Sequence, residues 1–309
     1  MMLRNSDMNS IARHIDEHDI AQEVRFTRRV HRGSFLLLEG ITDINRFADF
    51  VDAAECDVVN CYGRRNAILA IKILYDEGFL GAVCVVDADF DRILDRLEEH
   101  EGIIYSEGHD FDLDWIHPTI LSRYLRETGD QAKCSAFRSM EDLVVKIMLG
   151  LKPVSVARLL NRKRQIEYKV SHIDISDIYN NFEIDLDSYV NLIVGSSAPG
   201  KTRSAVKDLI EKNTLLEYNL YQLTNGHDFH CALGACLRVE LGSRKAQQTW
   251  GREVAKHLRL GFREQEFQDC TVYRKICEWE NENSPYRILK AHLKSEVHSS
   301  IRVKLGAAR

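Results

Sequence analysis

Proline is scarce, paired cysteines are missing, and neither a long apolar run nor an excess of positive charge is present. Four prolines leave little room for proline-rich linkers or stalks. The eight cysteines (Cys56, Cys61, Cys84, Cys134, Cys231, Cys236, Cys270, Cys277) contain no Cys-x-x-Cys pair. That spacing argues against a zinc ribbon or a disulfide framework, and for reduced, mostly buried thiols. No apolar stretch approaches membrane-spanning length, and Met1 to Asp7 has no signal-like apolar region. A cytoplasmic protein with no membrane partner is the expectation. The formal charge of −5 gives no global attraction to polyanions, so any binding of nucleic acid must come from local basic patches.

What is present is ordinary globular material, 44% hydrophobic and 29% charged, with length for one large domain or two smaller ones. The informative part lies between Ser34 and Asp89. Phe35-Leu-Leu-Leu38 stops at Glu39-Gly40, and Ala82-Val-Cys-Val-Val86 stops at Asp87-Ala-Asp89. Short, uninterrupted apolar runs that end in acid are the mark of parallel strands buried on both faces. Between them, Asp43 is placed to cap a helix over Ile44–Ala54. A strand over Cys56–Cys61 follows, then a helix opened by Gly63-Arg64-Arg65 and running to Glu77. The carboxyl ends of neighbouring parallel strands line one crevice, so Glu39, Asp87 and Asp89 are expected to meet there. Three acids in one place call for a cation, and hard oxygen ligands suit Mg2+ or Mn2+. The glycine turn with Arg64 and Arg65 at a helix N-terminus, together with Lys72, is a candidate seat for phosphate.

Further on, Phe90–His100 reads as a helix and Gly102–Tyr105 as a fourth strand. The latter runs into His109-Asp110-Phe-Asp112-Leu-Asp114, where His109, Asp110 and Asp112 are additional site candidates and Asp112 or Asp114 could instead cap a helix starting near Trp115. The basic stretch Arg25 to Arg32 is either a solvated face or a phosphate contact. Beyond Gln131 helical periodicity dominates, broken by a strand-like Ile166–Ile175 and continuing to a helix over Tyr286–Val303. The expected organisation is an α/β domain over residues 1–130 followed by a mainly helical region over 131–309.

Glu39-Gly-x-Thr-Asp43 after one strand and Asp87-x-Asp89 after a later one resemble the Toprim domain, a parallel sheet flanked by helices. The longer pattern, Asp87-Ala-Asp-Phe-Asp91, Gly108-His-Asp-x-Asp112 and the late Asn225-Gly-His-Asp228, is similar to a narrower, OLD-like branch. Its members accompany ABC-type ATPases in bacterial anti-phage defence, as in the PARIS system. The resemblance implies a metal-dependent nuclease acting on RNA or DNA, host tRNA included, and a toxin held by an ATPase partner, with a homodimer as a further expectation. It assigns Glu39, Asp87 and Asp89 as catalytic metal ligands and points to Asp112 as a further one. It singles out His227 and Asp228 without supplying a role, and capping of the following helix is the simpler expectation for them. Divalent cations at such a centre neutralise a phosphodiester's charge, acidify a bound water and stabilise the leaving oxygen.

A competing motif is Gly195-Ser-Ser-Ala-Pro-Gly200-Lys201-Thr202, a literal match to the nucleotide-binding loop, preceded by Tyr189–Val194, which reads either as a strand or as part of a helix started by Asp185-x-Asp187-Ser188, and followed by a helix. The helical tail lacks the further strand ending in a magnesium-binding aspartate that such a domain needs. His227, His230, Cys231 and Cys236 have the residue types of a zinc site, and a buried cysteine face of a helix accounts for them equally.

Overall fold

The computed structural model describes residues 14–170, 173–195, 202–242 and 252–294. In order these form α1 (Glu17–Thr27), β1 (Ser34–Leu38), α2 (Ile41–Phe47), β2 (Cys56–Asn60), α3 (Arg64–Asp76), β3 (Ala82–Val86) and β4 (Ile103–Tyr105). Then come α4 (Phe111–Asp114), α5 (Pro118–Thr128), α6 (Gln131–Cys134), α7 (Met140–Arg162), β5 (Tyr179–Asn180), β6 (Glu183–Ile184), α8 (Leu186–Gly195) and α9 (Arg203–Thr214). The last are α10 (Leu220–Leu223), α11 (Gly226–Cys236), α12 (Arg252–Gly261), α13 (Glu264–Asp269) and α14 (Thr271–Glu282), followed by a 3-10 turn at Ala291–Lys294.

The protein is α/β. Four parallel strands form one sheet in the order β2-β1-β3-β4, flanked by helices. β1 and β2 run in register from Ser34 opposite Cys56 to Leu38 opposite Asn60. All five residues of β1 and of β3 are buried, which is why both strands read as unbroken apolar runs rather than as alternation. β5 and β6 make a separate antiparallel pair.

Two compact units divide the chain: Met1–Cys84 with Arg274–Arg309, and Val85–Tyr273. The first therefore takes in the C-terminal segment, and residue 130, where composition changes, lies inside the second. In the first unit α1 packs on α3, whose Ala67, Ile68, Ala70, Ile71 and Leu74 are buried as the helical period requires. The basic stretch before β1 is structural here. Arg25 pairs with Glu77, and the Arg28 guanidinium lies over the rings of Phe35, Phe79 and Tyr286. In the second unit α7 packs against α9, α10 and α11.

Five local expectations change. The helix after Glu39 begins at Ile41 with Gly40 as its cap. Asp43 sits inside the first turn and pairs with Arg46 at 2.8 Å. Phe90–His100 is turn and irregular chain, not a helix, and Asp95 in its middle takes a left-handed backbone conformation that interrupts helical continuation. Residues 166–170 bury Ile166, Tyr168 and Val170 in strand-like alternation but lie in no strand. The Tyr168 amide donates to the Asn161 side chain, and the Val170 carbonyl accepts from Arg158. Tyr189–Val194 belongs to helix α8, whose buried Tyr189, Val190 and Ile193 follow a helical spacing, with Ser188 bonded to Asp185 at its start. Of the helix expected over Tyr286–Val303, residues 286–290 are not helical, Ala291–Lys294 form a 3-10 turn, and 295–303 lie outside the described residues. Residues 286–290 run extended, with Leu289 bridged to Val51 and the Glu280 carboxylate accepting from the amides of Ile288 and Leu289.

Candidate functional site at the strand ends

In the first unit, β1 delivers Glu39 half-buried at its carboxyl end, and the Glu39 carbonyl accepts from the Gly63 amide at 2.7 Å. That bond draws the start of α3 to the end of β1. Gly63, at φ +132°, makes the turn in a backbone conformation that a side chain would strain. Arg64 and Arg65 are the first two residues of α3, with Arg65 exposed and Arg64 half-buried, and Lys72 lies half-buried two turns on.

In the second unit, Asp87 and Asp89 follow β3. One Asp87 oxygen accepts from the Phe111 amide at 2.9 Å, tying the end of β3 to the start of α4. Asp89 sits at φ +49°, where aspartate is among the few tolerated residues, and its side chain is 44% exposed. Its amide donates to the His109 carbonyl at 2.7 Å, and its carboxylate lies 3.9 Å from His109 Nε2. Ser106, buried after β4, supports this corner by accepting from the Ala88 amide. His109 is buried against Phe90, with Nδ1 3.3 Å from the Gln222 carbonyl. Burial lowers its pKa, against the opposing pull of Asp89 and that carbonyl.

The three acids after His109 have protein partners. Asp110 caps α4 through the Leu113 amide and also accepts from the Gly226 amide, each at 2.8 Å. Its burial, with the charge of Asp112 nearby, pushes its pKa up to about 7. Asp112 is held by a two-pronged Arg259 guanidinium, Nε donating to Oδ1 at 2.9 Å and Nη2 to Oδ2 at 2.8 Å, so its charge is balanced within the chain. Asp114 accepts from the amides of Glu107 and Gly108, and burial pushes its pKa up to about 6. Neither Asp112 nor Asp114 caps the next helix. That role is His117's, at α5.

The late Asn225-Gly-His-Asp228 element joins the same neighbourhood. Asn225 caps α11 by accepting from the amides of His227 and Asp228. At Gly226 a Cβ would stand 2.5 Å from Asp110 Oδ1 and 2.6 Å from Asp112 Cβ, so only glycine lets α11 approach α4 this closely. His227 is exposed, and Asp228 is fully buried in a two-pronged pair with Arg158. Burial would lower the Arg158 pKa, but the Asp228 charge and hydrogen bonds outweigh it and raise it. Asp228 therefore anchors α11 to α7 and does not cap its own helix.

Two arginines absent from the expectations, Arg158 and Arg259, hold two of the named aspartates. Arg158 carried a readable signal: a charge on the apolar face of a helix, among Val154, Leu159 and Leu160. Arg259 carried none, since its partner is remote in sequence. Near His227 and His230, burial pushes the Cys231 thiol up to about 11, and its Sγ lies 3.7 Å from His227 Nε2. Of the nucleotide-loop motif, Gly195 ends helix α8 and Thr202 caps α9, while Gly200 and Lys201 lie outside the described residues. A helix in place of the required strand removes half of that motif's context.

Among the described residues no three His, Cys, Asp or Glu side chains are gathered closely enough to hold an ion, and no helix is long and apolar enough to cross a membrane. Hard carboxylate oxygens at Asp87 and Asp89 have the donor chemistry for magnesium or manganese, whereas Asp112 is engaged by a guanidinium. No protein-family model and no curated protein matches the chain.

Proposed function

We propose that the protein is a metal-dependent nuclease of Toprim type that hydrolyses phosphodiester bonds in RNA or DNA. The observation that carries this reading is the strand order. β1 and β3 are neighbours in a parallel sheet, and each ends directly in acid, Glu39 on one and Asp87-Ala-Asp89 on the other. Carboxyl ends of adjacent parallel strands are where ligands bind in such sheets. Glu39, Asp87 and Asp89 would hold Mg2+ or Mn2+, whose charge would offset that of the carboxylates. When bound, the ion supplies neutralisation of the phosphodiester's charge and acidification of a water. The chain's own residues do the rest. The Phe111 amide fixes the Asp87 carboxylate, and the Asp89 amide bond to the His109 carbonyl fixes the backbone from which Asp89 projects. Arg64 and Arg65 at the start of α3 are placed by sequence beside the Glu39 turn and would steady a strand's phosphates. Cytoplasmic action as a defence toxin restrained by an ABC-type ATPase rests on the sequence resemblance alone.

The test incubates the purified full chain with tRNA, single-stranded DNA and duplex DNA in Mn2+ or EDTA. Metal-dependent cleavage should fall by at least about a hundredfold in Glu39→Ala and in Asp87→Asn, in line with removal of a charge-stabilising group. Cleavage that persists in EDTA, or in either variant with unchanged melting, refutes the proposal.

A further inference from the structure

A second basic feature lies well away in sequence from the strand ends. The run Arg162-Lys-Arg-Gln-Ile-Glu-Tyr-Lys169 leaves the end of α7 and borders an open cleft of about 530 Å3. Arg164, Gln165 and Tyr168 line one side, and Leu209, Lys212 and Asn213 of α9 line the other, with Glu167 the single carboxylate in the wall. Such a volume is of the order a small ligand or one nucleotide occupies.

The bland explanation is that cations gather where helix carbonyls make a negative end. It accounts for Arg162, in the last turn of α7 and paired with Asp91, and for Lys163 at the cap. It does not account for the other two. Arg164 lies beyond the helix at φ +56°, its amide bonded to the Asn161 carbonyl and the Gln165 amide to the Leu160 carbonyl. That is the helix-ending turn in which glycine is the favoured residue at this position, and arginine is held there against its backbone preference. Lys212 comes from a different helix to the same cleft. Neither Arg164 nor Lys212 is in an ion pair among the described residues, so two like charges face one space with only Glu167 to offset them.

We infer that this cleft seats a phosphate-bearing segment of single-stranded nucleic acid. Arg164 and Lys212 contact the backbone, and one nucleotide lies between the side-chain amides of Gln165 and Asn213 against the wall formed by Tyr168. In sequence the cleft-lining segment is flanked by Lys163 and Lys169, and a run of cations suits a strand better than a free nucleotide. The inference concerns binding only and holds whether or not the strand-end acids carry a metal.

The test is anisotropy of fluorescein-labelled oligouridylate and oligothymidylate with the full chain in EDTA, where metal-dependent cleavage cannot interfere. Arg164→Gly is the informative variant, because glycine suits the local backbone and should keep or raise the melting temperature while removing the charge. Combined with Lys212→Gln, it should weaken binding at least about tenfold at ~0.1 M salt and flatten the log–log salt slope by about 1.4. Unchanged affinity in the double variant, or no binding by the natural chain, overturns the inference. Displacement of the oligonucleotide by AMP or inorganic phosphate at equal phosphate concentration overturns the assignment to a strand.

Discussion

Two sets of acids in the second unit follow strands β3 and β4, and the chain treats them differently. After β4, Asp110, Asp112 and Asp114 have their oxygens taken by backbone amides or by Arg259. After β3, Asp87 accepts from one backbone amide and is half-buried, and Asp89 stands in a left-handed turn with its carboxylate 44% exposed. Residue type does not separate these sets. What differs is how far they are enclosed: an acid filled and buried by the chain's own donors holds elements together, and a partly exposed one keeps part of its carboxylate within reach of solvent.

The strongest case of a filled acid is Asp228, and it should give the largest effect. Arg158→Ala leaves a fully buried carboxylate without its guanidinium, and breaking such a pair costs about 3–5 kcal/mol. Chemical denaturation measures this. A loss below about 1 kcal/mol would mean that Asp228 finds another donor and that filling by a partner is not what fixes α11. Next comes Gly226→Ala, where the added methyl meets Asp110 and Asp112 and should cost about 1–3 kcal/mol by overpacking. If glycine is there only for its backbone freedom, the cost will be well under that range.

The sheet was legible in the sequence because β1 and β3 are buried on both faces and so are written as plain apolar runs ending in acid. The helix from Gly63 was legible for a similarly local reason, a glycine turn followed by apolar residues at helical spacing. What could not be read were relations between distant segments. Asp112 reads as a strand-end ligand until Arg259 is seen to hold it, and Asp228 reads as a cap until Arg158 is. On the left flank of the nucleotide-loop match, Tyr189–Val194 is apolar enough for a strand and periodic enough for a helix, and of those two readings the helix is the one that forms. The break in composition near residue 130 reports where helices begin to dominate, while the compact units are set by contacts that bring residues 274–294 back to the first strands.

A smaller effect is expected from pH. Asp110 and Asp114 have folded pKa values raised to about 7 and about 6, above an ordinary 3.8, chiefly by burial. Below that ordinary value both are protonated in the folded and unfolded chains alike, and their contribution to stability is fully present. As pH rises, the unfolded chain releases these protons first, so the contribution is lost progressively up to about pH 7. Stability measured by urea unfolding should therefore decline across this window. The decline should be shallower in Asp114→Asn, even though that variant is less stable throughout. An identical slope would show that Asp114 is ionised in the fold and that its two amide donors outweigh its burial.

The smallest change in stability belongs to Asp89, and it sharpens the contrast most. Asparagine tolerates the left-handed conformation that Asp89 adopts, so Asp89→Asn removes the charge without straining the turn. The amide bond to the His109 carbonyl is made by the backbone and survives the substitution. A partly exposed side chain with those features preserved should alter stability by no more than about 0.5 kcal/mol. If the acids after β3 are there for a ligand, this nearly silent variant should nonetheless lose Mn2+ binding, read by calorimetry, together with metal-dependent cleavage. A variant that melts early and still binds manganese would put Asp89 with the filled acids after β4 and leave the sheet edge without its proposed chemistry.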